Sequence, residues 1–169
     1  MHERYNELKL AEKGARISIL AYIVLAILKV GVGYMSASKA LIADGLNNTT
    51  DILASFAVLV GLKISRKPAD DNHLYGHFRA ETIASLIASL IMIAVGINVF
   101  YKAIYDFIFA KAEAPDLIAA VVGIVCAIII YIVYRYNKKV AIEINSSGLM
   151  AAAKDNLSDA WVSIGTAVG

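Results

Sequence analysis

Two short stretches carry the residues whose types and spacing can do chemistry. "DGLNNTTDILAS" holds Asp44, Asn47, Asn48, Asp51 and Ser55, and "KDNLSDAWVS" holds Asp155, Asp159 and Ser163. In each, oxygen-bearing side chains recur three or four residues apart, the spacing that puts side chains on one face of a helix. Asn47 and Asp51 form one i, i+4 pair; Asp155 and Asp159 form another. Carboxylate and amide oxygens are hard donors. Two such pairs facing each other supply four oxygens, enough for a divalent cation. The carboxylates can hold protons instead.

The elements that must position these pairs are apolar. The chain has 169 residues, of which 59% are hydrophobic, and a mean hydropathy of +0.66. A soluble domain is about 45–50% apolar. The excess gathers in long blocks, the pattern of a helical membrane protein, in which a span needs about 20 apolar residues. Five blocks stand out, at about 17–35, 40–64, 82–104, 117–136 and 146–169. The reading is an all-α membrane protein, a transmembrane helix bundle preceded by a hydrophilic segment over 1–15. That segment has no signal-peptide pattern.

Asp51 falls near the middle of the second block, and Asp155 and Asp159 fall at similar depth in the fifth. An unpaired carboxylate at that depth is costly. Blocks two to five offer no Lys or Arg to match, and Lys29 in block one lies nearer the outer third, where it is expected to snorkel. A metal ion or a proton is therefore the expected partner. A single intramembrane Asp also serves as a helix-packing hydrogen bond, but two pairs matched in depth are poorly explained that way. Asp44, closer to the outer end, is expected to line the cavity or support a ligand from behind. Ser163 and Thr166 extend the stripe of block five.

Lys and Arg set the orientation. Arg4, Lys9, Lys13 and Arg16 precede block one; Lys63, Arg66, Lys67 and Arg79 flank the second connection; Arg135, Lys138 and Lys139 flank the fourth. The other connections hold Lys39 alone, or Lys102 and Lys111 diluted by Asp106, Glu113 and Asp116. The N-terminus is thus expected on the cytoplasmic side. Tyr34, Tyr101, Tyr105, Tyr131, Tyr134 and Tyr136 sit at span ends as an interfacial belt. Gly31 and Gly33 are expected to thin the first helix for close packing. Cys126 reads as a small packing residue. A net charge of +2 gives no global reason to expect nucleic acid. The fifth block is still apolar at "WVSIGTAVG", with no charged flank, and the expectation is a piece of a longer protein.

Three stretches carry a resemblance. "SKALIADGLNNTTDILASF", "RKPADDNHLYGHFRAETIASL" and "AAAKDNLSDAWVSIG" resemble the cation diffusion facilitators, proton-coupled exporters of divalent transition metals. The resemblance runs in register from the first block to the fifth. It implies a homodimer of six-helix protomers, usually with a cytosolic C-terminal domain. Five spans of the six are visible, and the sixth helix and that domain are expected to lie outside this stretch. It also implies a secondary active transporter rather than an enzyme, set in a bacterial cytoplasmic membrane.

The family takes two ligands from its second helix and two from its fifth, which here are Asn47, Asp51, Asp155 and Asp159. Zinc-transporting members usually place a His among the four. Its absence makes this chain similar to the manganese-exporting branch. Donor chemistry agrees, since an all-oxygen site suits Mn²⁺ and also admits Fe²⁺, Mg²⁺ or Ca²⁺; Zn²⁺ and Co²⁺ stay open as cargo of the same family. The resemblance further implies a cytoplasmic metal site at Asp70, His73 and His77. Pro68 and Gly76 make that segment a loop, and the same residues also read as ordinary side chains of a solvated turn. The implied cycle is alternating access, with protons displacing the metal from shared oxygens. A channel, a metal sensor and a structural membrane subunit are the other classes these residues admit.

Overall fold

The computed structural model describes residues 2–71, 73–109 and 117–168, and their helices are α1 (His2–Met35), α2 (Lys39–Ser65), α3 (Arg79–Phe109), α4 (Leu117–Glu143) and α5 (Ser147–Val168). Among the described residues the β-structure is one isolated bridge, Asp70 with His73. Lys111, Glu113 and Asp116, expected to dilute the charge of the third connection, lie outside the described residues, and the side chain of Asp106 does too.

Length and composition alone qualify α1, α3 and α4 as membrane spans. The carboxylate pairs lie on α2 and α5. At ~1.5 Å rise per residue both are long enough to cross, and both keep their polar groups inside. On α2, Leu41, Asp44, Asn48, Asp51, Ser55 and Val58 are buried, while Leu46, Leu53 and Phe56 are exposed. Apolar side chains face outward along α3 and α4 as well, at Ile93, Ile97, Phe100, Ile124, Ile128 and Ile132. Lipid solvates such a surface and water does not. The chain is an all-α membrane bundle.

The hydrophilic start is part of the bundle. Residues 2–15, expected as a separate segment, continue as the same helix as the first span. Leu8, Ala11 and Ala15 recur at helical spacing and bury themselves with Leu59, Leu62, Ile144 and Leu149. Glu12 is buried beside them and pairs with Arg66 at 3.0 Å and Arg16 at 3.4 Å. The start of α1, the α2–α3 loop and the α4–α5 turn therefore share one end of the bundle. All three segments that the sequence marks as rich in Lys and Arg meet there.

The connections are capped. Ser38 opens α2 by accepting from the Leu41 amide at 3.3 Å. Asn145 takes a positive φ of 51°, which Asn tolerates better than most residues, and so turns α4 into α5. Ser146 then caps α5, accepting from the Leu149 amide at 3.1 Å and donating to Glu81 Oε1 at 2.6 Å. Buried Glu81 also accepts from the Gly148 amide at 3.2 Å, tying the start of α3 to the start of α5.

α2 packs chiefly on α1, and α5 chiefly on α4. The two carboxylate-bearing helices thus belong to different pairs and meet across a seam. Gly45 and Gly33 let α1 and α2 close: a Cβ on Gly45 would lie 3.0 Å from Lys29 Cβ, and one on Gly33 would lie 2.7 Å from Ile42 Cγ1. Gly31 has no such neighbour within 4 Å. The expectation of close packing holds for Gly33 and fails for Gly31, which points away from α2. Cys126 is buried with Tyr22, Leu25 and Ile130 between α1 and α4.

Candidate metal centre

At the seam, Asp51 of α2 faces Asp155 and Asp159 of α5. One carboxylate oxygen from each lies within 4.8 Å of the others, and all three residues are buried, at 4%, 7% and 4% exposure. Three carboxylates so close repel one another unless a cation or protons share them. Asp159 Oδ2 has no hydrogen-bond partner among the described residues. Such an orphan acceptor is what a bound ion or proton would satisfy.

Amides from the same turn of α2 support Asp51. Asn48 donates from Nδ2 to Asp51 Oδ2 at 3.1 Å, and Asn47 donates to the same oxygen at 3.4 Å. Asn47 is half-buried and Asn48 fully buried. Asn47, Asp51, Asp155 and Asp159 line one cavity of about 350 Å³, whose other wall is the stretch of α3 from Ile91 to Ala103. The four residues selected from sequence are thus neighbours around one cavity. Asn47 presents its NH₂ to Asp51; as a ligand it would turn its oxygen inward.

Asp44 does not join them. It pairs with Lys29 at 2.9 Å, with both side chains buried, and Lys29 also donates to Ser163 Oγ at 2.8 Å. The snorkelling expected of Lys29 does not occur. Asp44 lies at matching depth on the adjacent helix, and the gap at Gly45 lets the lysine stem lie flat against α2. Thr166 turns its hydroxyl back onto its own helix, donating to the Val162 carbonyl at 3.0 Å.

Tyr22, on α1, is the member that reading the sequence passed over. Its hydroxyl donates to Asp155 Oδ2 at 3.2 Å, and the side chain is fully buried. One turn earlier, Ser18 accepts from Asn156 Nδ2 at 3.0 Å and Asn137 Nδ2 at 2.8 Å. A signal existed: Ser18, Tyr22 and Lys29 interrupt an apolar span on one face.

The Asp70, His73 and His77 side chains come together in the loop between α2 and α3. Their potential ligand atoms also lie within 4.8 Å of one another. His73 Nδ1 is 3.0 Å from Asp70 Oδ1, His77 Nε2 is 3.6 Å from Asp70 Oδ2, and the imidazole centroids are 4.2 Å apart. Gly76, at φ +77°, makes the turn that brings His77 back. Asp70 and His73 are exposed, so this cluster differs from the seam in being wet and containing nitrogen donors.

Comparison with known proteins gives a consistent set. The profile of the cation efflux transmembrane domain matches residues 15–169. The chain is 59% identical over 167 residues to the manganese efflux system protein MneS of Bacillus subtilis, covering 99% of this chain and 58% of that one. It is 53% identical to the uncharacterized transporter YdbO of the same organism, with the same coverage. To the B. subtilis manganese efflux system protein MneP it is 32% identical, over 95% of this chain and 54% of that one. The chain spans little more than half the length of these curated relatives.

Proposed function

The chain belongs to the cation efflux transmembrane-domain family, and from that premise we propose that the protein exports Mn²⁺ across a bacterial cytoplasmic membrane in exchange for protons. It is then a secondary transporter, with Asn47, Asp51, Asp155 and Asp159 as the transport site and the metal as cargo. What supports this reading most is the convergence of three buried carboxylates from α2 and α5 on one cavity. Two manganese efflux proteins among the relatives favour Mn²⁺ over the other divalent ions. The donor set agrees: oxygen alone suits a hard ion, and an imidazole favouring zinc is missing.

In this reading Mn²⁺ enters from the end that holds the N-terminus and displaces protons from Asp51, Asp155 and Asp159. The two helix pairs rock about their seam, the site opens to the other side, and protons take the oxygens back. The three carboxylates serve both ions, and this competition couples metal to protons. Two copies form a homodimer. Asp70, His73 and His77 form a second, cytoplasmic metal site, whose imidazoles suit Zn²⁺ better than the seam does.

Proteoliposomes loaded with a Mn²⁺-sensitive dye test the transport site. Asp51→Ala and Asp159→Ala are expected to abolish Mn²⁺ flux in protein that still elutes as folded. Flux at the native rate in either variant removes the assignment.

A further inference from the structure

The ligands come from α2 and α5, yet three polar contacts that bracket Asp159 on α5 come from α1. Ser18, Tyr22 and Lys29 share one face of that helix, at i, i+4 and i+11. Ser18 accepts from Asn156, Tyr22 donates to Asp155, and Lys29 donates to Ser163, so each holds α5. Lys29 simultaneously pairs with Asp44 on α2. Since α2 packs chiefly on α1 and α5 chiefly on α4, these contacts cross the seam between helix pairs. They lie on both sides of Asp159 along α5.

We infer that α1 sets the gap between the two ligand-bearing helices, with Tyr22 and Lys29 as positioning residues that determine which metal the site prefers. This rests on the transport-site reading above. The physical reason is coordination number. Zinc accepts four tetrahedral ligands, whereas manganese prefers six oxygens in octahedral array. A cavity that holds Asp155 by its Oδ2 leaves Oδ1 to the ion and fixes how far α5 stands from Asp51. Room for additional oxygens, including water, depends on that distance. When the gap collapses or drifts, the octahedral ion loses more than the tetrahedral one. Removing a side chain that orients a ligand costs typically ~10–100-fold in metal affinity.

The test is calorimetric titration of the purified protein with Mn²⁺ alone and Zn²⁺ alone, in a His73→Ala/His77→Ala background that silences the loop. Tyr22→Phe removes one hydroxyl and keeps the packed ring. Ser163→Ala removes the acceptor of Lys29, and Ser163→Thr keeps it. The preference for Mn²⁺ over Zn²⁺ is expected to fall ~10-fold in Tyr22→Phe and Ser163→Ala and to stay near native in Ser163→Thr. A preference within about two-fold of native in both, or equal weakening of both metals, would mean packing alone and overturn the inference. If Tyr22→Phe does not fold, the Ser163→Ala and Ser163→Thr pair decides. Asp51→Ala, titrated alongside, separates the two failures. Retained Mn²⁺ binding there sinks the transport site itself, and lost binding there with an unchanged preference in the others sinks only the role of α1.

Discussion

Lys29 and Asp44 show what a single charge does inside this bundle. Both are buried and lie 2.9 Å apart. Each charge is tolerable there because of the other. Lys29→Met leaves a buried carboxylate with no cation and is expected to cost about 3–5 kcal/mol of stability. Lys29→Met/Asp44→Leu removes both charges and is expected to recover most of that loss. Thermal melting of the two variants in one detergent checks the pair; equal melting temperatures would show that the ion pair does not hold α1 to α2. The same logic separates Asp44 from Asp51. Asp44 has a fixed counter-charge, so nothing is left for a travelling ion to neutralise. Asp51 takes its hydrogen bonds from amides and lies against two other carboxylates, and in the proposed exchange a metal ion or protons neutralise it.

Between helices the deciding residues are the smallest. A Cβ on Gly61 would lie 2.1 Å from Ala84 Cβ and 2.9 Å from the Ala80 carbonyl oxygen. Gly61→Ala must push α3 away from α2, and overpacking of this kind costs typically ~1–3 kcal/mol. Gly31→Ala meets nothing within 4 Å, and helix propensity favours Ala over Gly by ~1 kcal/mol. The first variant is expected to melt lower than the native protein and the second no lower, in the same thermal assay. Since α3 supplies the wall opposite the carboxylates, Gly61→Ala is also expected to slow Mn²⁺ flux. A flux unchanged despite a lower melting temperature would mean that the position of α3 is not critical to the cavity.

For the whole molecule the question is what drives the cargo. In the proposed exchange, each outward metal ion draws its force from protons moving the other way. Mn²⁺ uptake into everted vesicles is expected to grow with the imposed pH difference and to stop when a protonophore removes it. Flux that follows the Mn²⁺ gradient alone, indifferent to the protonophore, is the behaviour of a channel and would reject the antiport. Tight metal binding with no flux under either condition is the behaviour of a sensor.

Much of this molecule is written locally. Apolar blocks of span length announce the helices, and i, i+4 spacing announces the faces of Asn47 with Asp51 and Asp155 with Asp159, because both follow from neighbours along the chain. The resemblance to a metal-exporting family rests on the same short motifs. Which faces meet is a different matter. Tyr22 reaches Asp155 across 133 positions of sequence, and Lys29 reaches Ser163 across 134. The spacing of Ser18, Tyr22 and Lys29 marks a polar face on α1, but it does not say which groups that face meets. Gly31 and Gly33 look alike in the sequence and part ways only because α2 crosses one of them. Those outcomes belong to how four helix surfaces pack at once, and only the tertiary structure decides them.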